Sequence, residues 1–173
     1  MINELKLNLA CGQRKEEGYF GIDIVPGDTV DAVVDLEQFP WPIESNSAED
    51  IICSHYVEHT TDLIKFMDEV YRILKPGGKI KIIAPYYTSI RCWQDPTHKR
   101  AISEATFLYF NKGWRDANKL DHYGILSDFD YTYGYDINQT WANRSEEARN
   151  FAILHYWNVI NDIHLVLTKR EDK

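Results

Sequence analysis

The chain is predicted to fold as an α/β domain in three layers, built on a seven-stranded, mostly parallel sheet with an antiparallel last strand. Three observations predict this. Short apolar strands recur through the first half and end in small or acidic residues. A strongly amphipathic helix stands between two of them. Two late strands follow each other without a full helical crossover. At 173 residues the chain has the length of one domain with a full core, so residues 1–173 are read as a single unit.

Leu5, Leu7 and Leu9 alternate with Lys6 and Asn8, the pattern of a strand with one buried face. It stops at Ala10-Cys11-Gly12, where small side chains let the backbone approach a ligand closely. Gln13 to Gly18 is short for a parallel crossover, which usually needs about a dozen residues, so a truncated first helix is expected. Tyr19 to Ile24 is the second strand and carries Asp23 near its end. A tight turn after the first strand and an acid closing the second is how an open parallel sheet holds a nucleoside. Val30 to Val34 is the third strand, ending at Asp35-Leu36. Phe39-Pro40-Trp41-Pro42 is a turn, since two prolines remove main-chain donors.

Ile51-Ile52-Cys53-Ser54 reads as a fourth strand buried on both faces. Thr60 or Thr61 caps the following helix, in which Leu63, Phe66, Met67, Val70, Ile73 and Leu74 form one apolar stripe. Lys75-Pro76-Gly77-Gly78 ends it, and Lys79 to Ala84 is the fifth strand. Residues 86–124 break the rhythm as an irregular aromatic insert holding one short helix, Ser103 to Phe110. Ile125 to Tyr135 is the sixth strand. Ser145 caps a helix that runs to the neighbourhood of Tyr156, and Asp162 to Thr168 is the seventh strand.

Composition narrows the function. Hydrophobic content of 44% and charged content of 27% are ordinary for a globular chain. A net charge of −8 argues against a nucleic-acid backbone as the main partner. No apolar run approaches the roughly 18 residues of a membrane span, and Met1-Ile2-Asn3-Glu4 lacks a secretory pattern. Cys11, Cys53 and Cys92 are odd in number and widely spaced. That suits a reduced, cytoplasmic protein rather than a disulfide framework or a zinc knuckle.

Four stretches together resemble the class I S-adenosylmethionine-dependent methyltransferases, Rossmann-like enzymes, and in particular their small type 11-like members with a short first crossover. They are Leu7 to Gly12, Gly21 to Ile24, Asp35 to Pro42, and Ile51 to His59 followed by a helix and Leu74 to Lys79. The resemblance implies that S-adenosylmethionine is the cofactor. Backbone at Ala10, Cys11 and Gly12 would line its methionine part, and Asp23, followed by Ile24, would hold the ribose hydroxyls. Asp35 would accept from the adenine amino group and the Leu36 amide would meet a ring nitrogen. Ser54 and His55 would sit beside the sulfonium. Arg14 or Lys15 is the candidate cation for the cofactor carboxylate. Ala10 occupies a place that is often Gly in the family, a small intrusion that keeps binding.

His55-Tyr56-Val57-Glu58-His59 also matches the H-x-x-E-H pattern of zinc peptidases. That chemistry needs both histidines one turn apart on a helix, whereas a strand-to-helix turn is expected here, so no metal site is assigned. In the insert, His98 is the candidate general base, with His59 as a second. Arg100 is the candidate for an anionic substrate group. Tyr86 and Tyr87 are candidates for the wall of a small-molecule pocket; the insert's aromatics equally fit a homodimer surface or a second small core. The expected reaction moves a methyl group to an oxygen or nitrogen of a small molecule, a sugar or related metabolite by resemblance. Two rivals are a non-catalytic nucleoside-binding module and a zinc hydrolase using His55, Glu58 and His59.

Overall fold

The computed structural model describes residues 2 and 6–171; Leu5, the predicted start of the first strand, lies outside the described residues. The elements are β1 (Lys6–Leu9), β2 (Phe20–Asp23), β3 (Ala32–Val33), β4 (Ala48–Ser54), α1 (Leu63–Ile73), β5 (Leu74–Pro85), α2 (Ile90–Gln94), α3 (Lys112–Asn118), β6 (Phe129–Ile137), α4 (Gln139–Ala142), α5 (Glu146–His155) and β7 (Ile160–Lys169). Short 3-10 helices cover Glu104–Phe110 and Asp121–Tyr123. The strands form one seven-stranded sheet in the order β3-β2-β1-β4-β5-β7-β6. Because β7 is antiparallel to both β5 and β6, it alone runs against the rest, as the sequence leads one to expect. The chain moves outward from β1 through β2 to β3, then restarts on the other side at β4. That reversal places a crevice at the carboxyl ends of β1 and β4, where open sheets bind ligands.

Leu7, Leu9, Ile51, Cys53, Ile80, Ile82, Leu165 and Leu167 point to one side of the sheet and are fully buried or nearly so. Phe66, Met67, Val70 and Ile73 of α1 cover them. Each such side chain contributes about 1.5–3 kcal/mol by leaving water. Buried Lys169 closes the end of α1: its Nζ donates to the carbonyls of Tyr71 and Leu74, both at 2.8 Å.

Several sequence expectations are corrected. Among the described residues, the connection from β1 to β2 holds no helix at all. It is a loop laid over the opposite side of the sheet: the Glu16 amide donates to Asn8 Oδ1 (2.9 Å) and the Tyr19 hydroxyl to Asp50 Oδ2 (2.6 Å). Without a helix there, Ile52 of β4 is only half-buried, so β4 is not buried on both faces. Asp62 rather than Thr60 or Thr61 caps α1, accepting from the Lys65 amide at 3.0 Å. β5 starts at Leu74, because the Pro76-Gly77-Gly78 stretch is a bulge inside the ladder with β4. β6 starts only at Phe129, since the backbone before it bonds elsewhere. Asp68 accepts from the Leu126 and Ser127 amides, and the Arg115 guanidinium donates to the Ile125 and Ser127 carbonyls. Ser145 does cap α5, accepting from Ala148.

Candidate active site

The bend after β1 is the floor of the site. Ala10 and Gly12 both have left-handed backbones, with φ of +49° and +50°. Glycine takes that conformation freely; alanine adopts it at a cost of about 1–2 kcal/mol. This cost, rather than bulk, is the reason a glycine suits the Ala10 position. The Cys11 amide donates to the Ile22 carbonyl at 3.1 Å, tying the bend to β2. Gly21 is needed for this closeness: a Cβ there would stand 2.4 Å from the Thr29 carbonyl and 3.0 Å from Cys11 Sγ.

Asp23 organises the next layer. Its Oδ2 accepts from the Gly12 amide at 2.8 Å and its Oδ1 from the Val25 amide at 2.9 Å. Each oxygen keeps a second lone pair for a ligand hydroxyl. Asp35 folds back on itself, Oδ1 accepting from the Glu37 amide at 2.9 Å. Leu36 is buried, and its carbonyl accepts from Trp41 Nε1 at 3.1 Å, so the Pro-Trp-Pro turn fixes the Asp35-Leu36 segment from below. Ile24, 58% exposed, is an apolar rim opposite it.

Ala10, Asp23, Ile24, Asp35 and Leu36 line one cleft of about 270 Å³, with Val34, Glu37, Tyr56, His59 and Lys99 completing it. Small-molecule sites usually measure about 300–1,000 Å³. A neighbouring recess of about 240 Å³ shares His59 and adds His55, Glu58, Arg91, Asp95 and His98. Burial works against charge on Glu37, yet hydrogen bonds from Thr61 and Tyr56 outweigh it and hold its carboxyl below the ordinary range.

The structure brings Ala10, Asp23, Ile24, Asp35, Leu36 and His59 into the cleft and places His98 in the recess beyond it. Ser54 lies elsewhere. It faces the opposite side of the sheet, in a hollow with His55, Ile83, Asp136 and His164. His55 stands between, at a left-handed φ of +53°, with Nδ1 3.4 Å from Glu58 Oε1. That carboxylate raises the His55 pKa, against the effect of burial. Arg14 is exposed, while Lys15 is engaged by Asp31 at 2.7 Å. Tyr86 is 2% exposed and donates to Glu104 Oε2 at 3.0 Å. It therefore belongs to the core, whereas Tyr87 is exposed beside it. Cys11, Cys53 and Cys92 are buried free thiols; burial pushes the Cys53 thiol up.

Arg100 does not offer its guanidinium to a ligand. It donates to the carbonyls of Val57 (3.0 Å), Thr60 and Thr61 (3.2 Å), clamping the insert onto the turn after β4. Burial lowers its pKa. Arg100→Ala removes charge-assisted bonds of about 1.5–3 kcal/mol in all. The expected result is a Tm lower by roughly 3–12 °C and faster proteolytic cutting between residues 86 and 100; calorimetry and limited proteolysis check it. Four lining residues were missed in sequence: Val34, Glu37, Tyr56 and Lys99. Lys99 is placed by tertiary contact alone, its Nζ donating to Thr61 Oγ1 at 2.6 Å. Position immediately after Leu36 was the available signal for Glu37.

A sheet of this order, with a cleft at its reversal point and two acids on that cleft, has a Rossmann-like architecture. The family model for a methyltransferase domain matches residues 8–82, from within β1 to within β5. No curated protein sequence matches the chain. Among solved structures it is similar to an S-adenosylmethionine-dependent methyltransferase from Archaeoglobus fulgidus. The TM-score is 0.66 and the identity 21%, over 96% of this chain and 86% of that one. It is also similar to a chain in the complex between the Haloferax volcanii Trm112 methyltransferase activator and a methyltransferase (TM-score 0.59, 15% identity, 98% and 84% covered). A third is Haemonchus contortus phosphoethanolamine N-methyltransferase 2 in complex with S-adenosyl-L-methionine (TM-score 0.53, 15% identity, 98% and 49% covered). Residues 8–82 thus match a methyltransferase domain, and the fold as a whole is shared with these solved methyltransferases. No helix among the described residues is long and apolar enough to cross a membrane.

Proposed function

We propose that this chain transfers a methyl group from S-adenosylmethionine to an oxygen or nitrogen of a small molecule, with residues 86–124 forming the acceptor side. The observation that carries the reading is the convergence of Ala10, Asp23 and Asp35 on one cleft, with the Gly12 amide bonded to Asp23. The ribose hydroxyls would donate to the free lone pairs of Asp23. The adenine would lie between Ile24 and Leu36, its amino group donating to Asp35 Oδ2. Main-chain atoms of the bend would run along the methionine part, with exposed Arg14 for its carboxylate.

Bound there, the cofactor supplies an electrophilic methyl carbon on sulfur with a good leaving group. The chain's task is then to bind, align and exclude water rather than to generate a reactive group. His59 bridges the cofactor cleft and the recess, so the acceptor belongs in the recess, beside His59 and His98. The polar recess walls suit a hydroxylated compound such as a sugar, and an overall charge of −8 weighs against nucleic acid. The test is to incubate the protein with labelled S-adenosylmethionine and pools of small hydroxyl and amine compounds. The reading expects acceptor-dependent release of S-adenosylhomocysteine and a labelled product. Tight cofactor binding with no labelled product from any pool would identify a binding module instead.

A further inference from the structure

Glu58 is the anomaly of the recess. It is 1% exposed. Its Oε1 has only the His55 ring, 3.4 Å away, as an ion-pair partner when that ring is protonated, and Oε2 has no hydrogen-bond partner. A carboxyl group left so is costly unless a cation completes it. Glu58, His59 and His98 each bring a donor atom to within 4.8 Å of the other two. Around a zinc-like ion, donors at about 2.0–2.1 Å from the metal lie roughly 3.3 Å apart, so a small rotamer adjustment closes the site.

The two imidazoles are also prepared as ligands. His98 Nδ1 is 2.9 Å from the Cys92 carbonyl, which only accepts, so that nitrogen carries the proton; Nε2 has Asp95 Oδ2 3.9 Å away, beyond hydrogen-bond reach, and keeps its lone pair. The Thr97 hydroxyl donates to Asp95 Oδ1 at 2.7 Å and so accepts from His59 Nδ1 at 3.0 Å, leaving His59 Nε2 bare as well. Histidines that ligate metals are oriented in this way, one ring nitrogen held by a carbonyl, hydroxyl or carboxylate and the other free for the ion. The ligand set is not the H-x-x-E-H arrangement of a zinc peptidase. Residues 55–59 form a turn, not a helix, and the third ligand arrives from the insert.

We propose that Glu58, His59 and His98 form a site for a divalent transition-metal ion of the zinc type, with at least one coordination position open toward the recess. Two imidazoles and one carboxylate are a catalytic rather than a structural set, because a closed structural site uses four protein ligands. Resting on the methyltransferase reading, the open position would hold the acceptor oxygen. A hydroxyl on the ion becomes acidic enough to lose its proton to solvent near neutral pH. Its oxygen then forms the bond to the methyl carbon as the carbon–sulfur bond breaks, leaving methyl ether, neutral thioether and one released proton. This narrows the acceptor to an oxygen compound, and His59 and His98 serve as ligands rather than as the base.

The experiment is a titration of metal-stripped protein with Co(II), followed by its visible absorption and by equilibrium dialysis, then displacement with Zn(II). Binding of S-adenosylhomocysteine is measured in parallel. The expected result is one Co(II) per chain with the intense bands of low coordination, weakened about tenfold or more by Glu58→Gln and by His98→Ala. Both variants should melt cooperatively and keep their affinity for S-adenosylhomocysteine within about twofold. Absence of saturable Co(II) and Zn(II) binding by the unaltered chain, or equal binding by both variants, overturns the site. Metal bound without any affinity for S-adenosylhomocysteine would leave the metal site standing and remove the methyltransferase reading.

Discussion

Asp23→Ala should weaken S-adenosylhomocysteine binding by about 10²–10⁴-fold. Two ribose hydroxyls donating to one carboxylate are charge-assisted bonds of about 1.5–3 kcal/mol each, and each 1.4 kcal/mol is about tenfold. A second loss adds to the first. Asp23 holds the Gly12 and Val25 amides at 2.8 and 2.9 Å, so the bend itself loosens when the carboxylate goes. Asp23→Asn keeps the shape but only one accepting oxygen, and should fall between Ala and the unaltered chain. Isothermal titration of the three proteins checks the order. Equal affinity in all three would mean that the ribose is not held here.

Gly21→Ala should be the most damaging single methyl group in the first half of the chain. The added carbon would meet the Thr29 carbonyl at 2.4 Å and Lys15 Cδ at 2.7 Å. The carbonyl cannot yield without moving the Gly21–Asp31 pairing, in which the Gly21 amide donates to Asp31 Oδ2 at 2.6 Å and the Asp31 amide to the Gly21 carbonyl at 2.8 Å. Overpacking of this kind costs about 1–3 kcal/mol, or roughly 2–12 °C of Tm at this size. Cys11 Sγ lies 3.0 Å from the same carbon, so cofactor affinity should fall along with stability. Differential scanning calorimetry reads the first effect and titration the second; a Tm unchanged by the substitution would contradict the packing described.

The first half of the fold was legible because its signals are local. Alternating leucines, a bend of small residues and acids at strand ends are read within a few positions, and Asp23 and Asp35 follow directly from them. What was not legible depends on contacts far apart in sequence. Whether Ile52 is covered depends on the missing helix between β1 and β2. Ser54 shares a strand face with Ile52 rather than with Cys53, and a run of apolar residues hides that parity. Arg100 looked like an anion binder because its three carbonyl partners lie about forty residues upstream. His98 meets Glu58 and His59 only because Arg100 pins the insert to their turn, and the Lys99 amide donates to the Glu58 carbonyl at 2.8 Å.

A crystal structure of the chain with S-adenosylhomocysteine tests the central claim most directly. Both ribose hydroxyls should lie within about 3 Å of the Asp23 carboxylate, with the adenine amino group on Asp35 and the sulfur facing His59. A nucleoside seated away from the Ala10–Gly12 bend, with Asp23 and Asp35 touching only their own backbone amides, would contradict it.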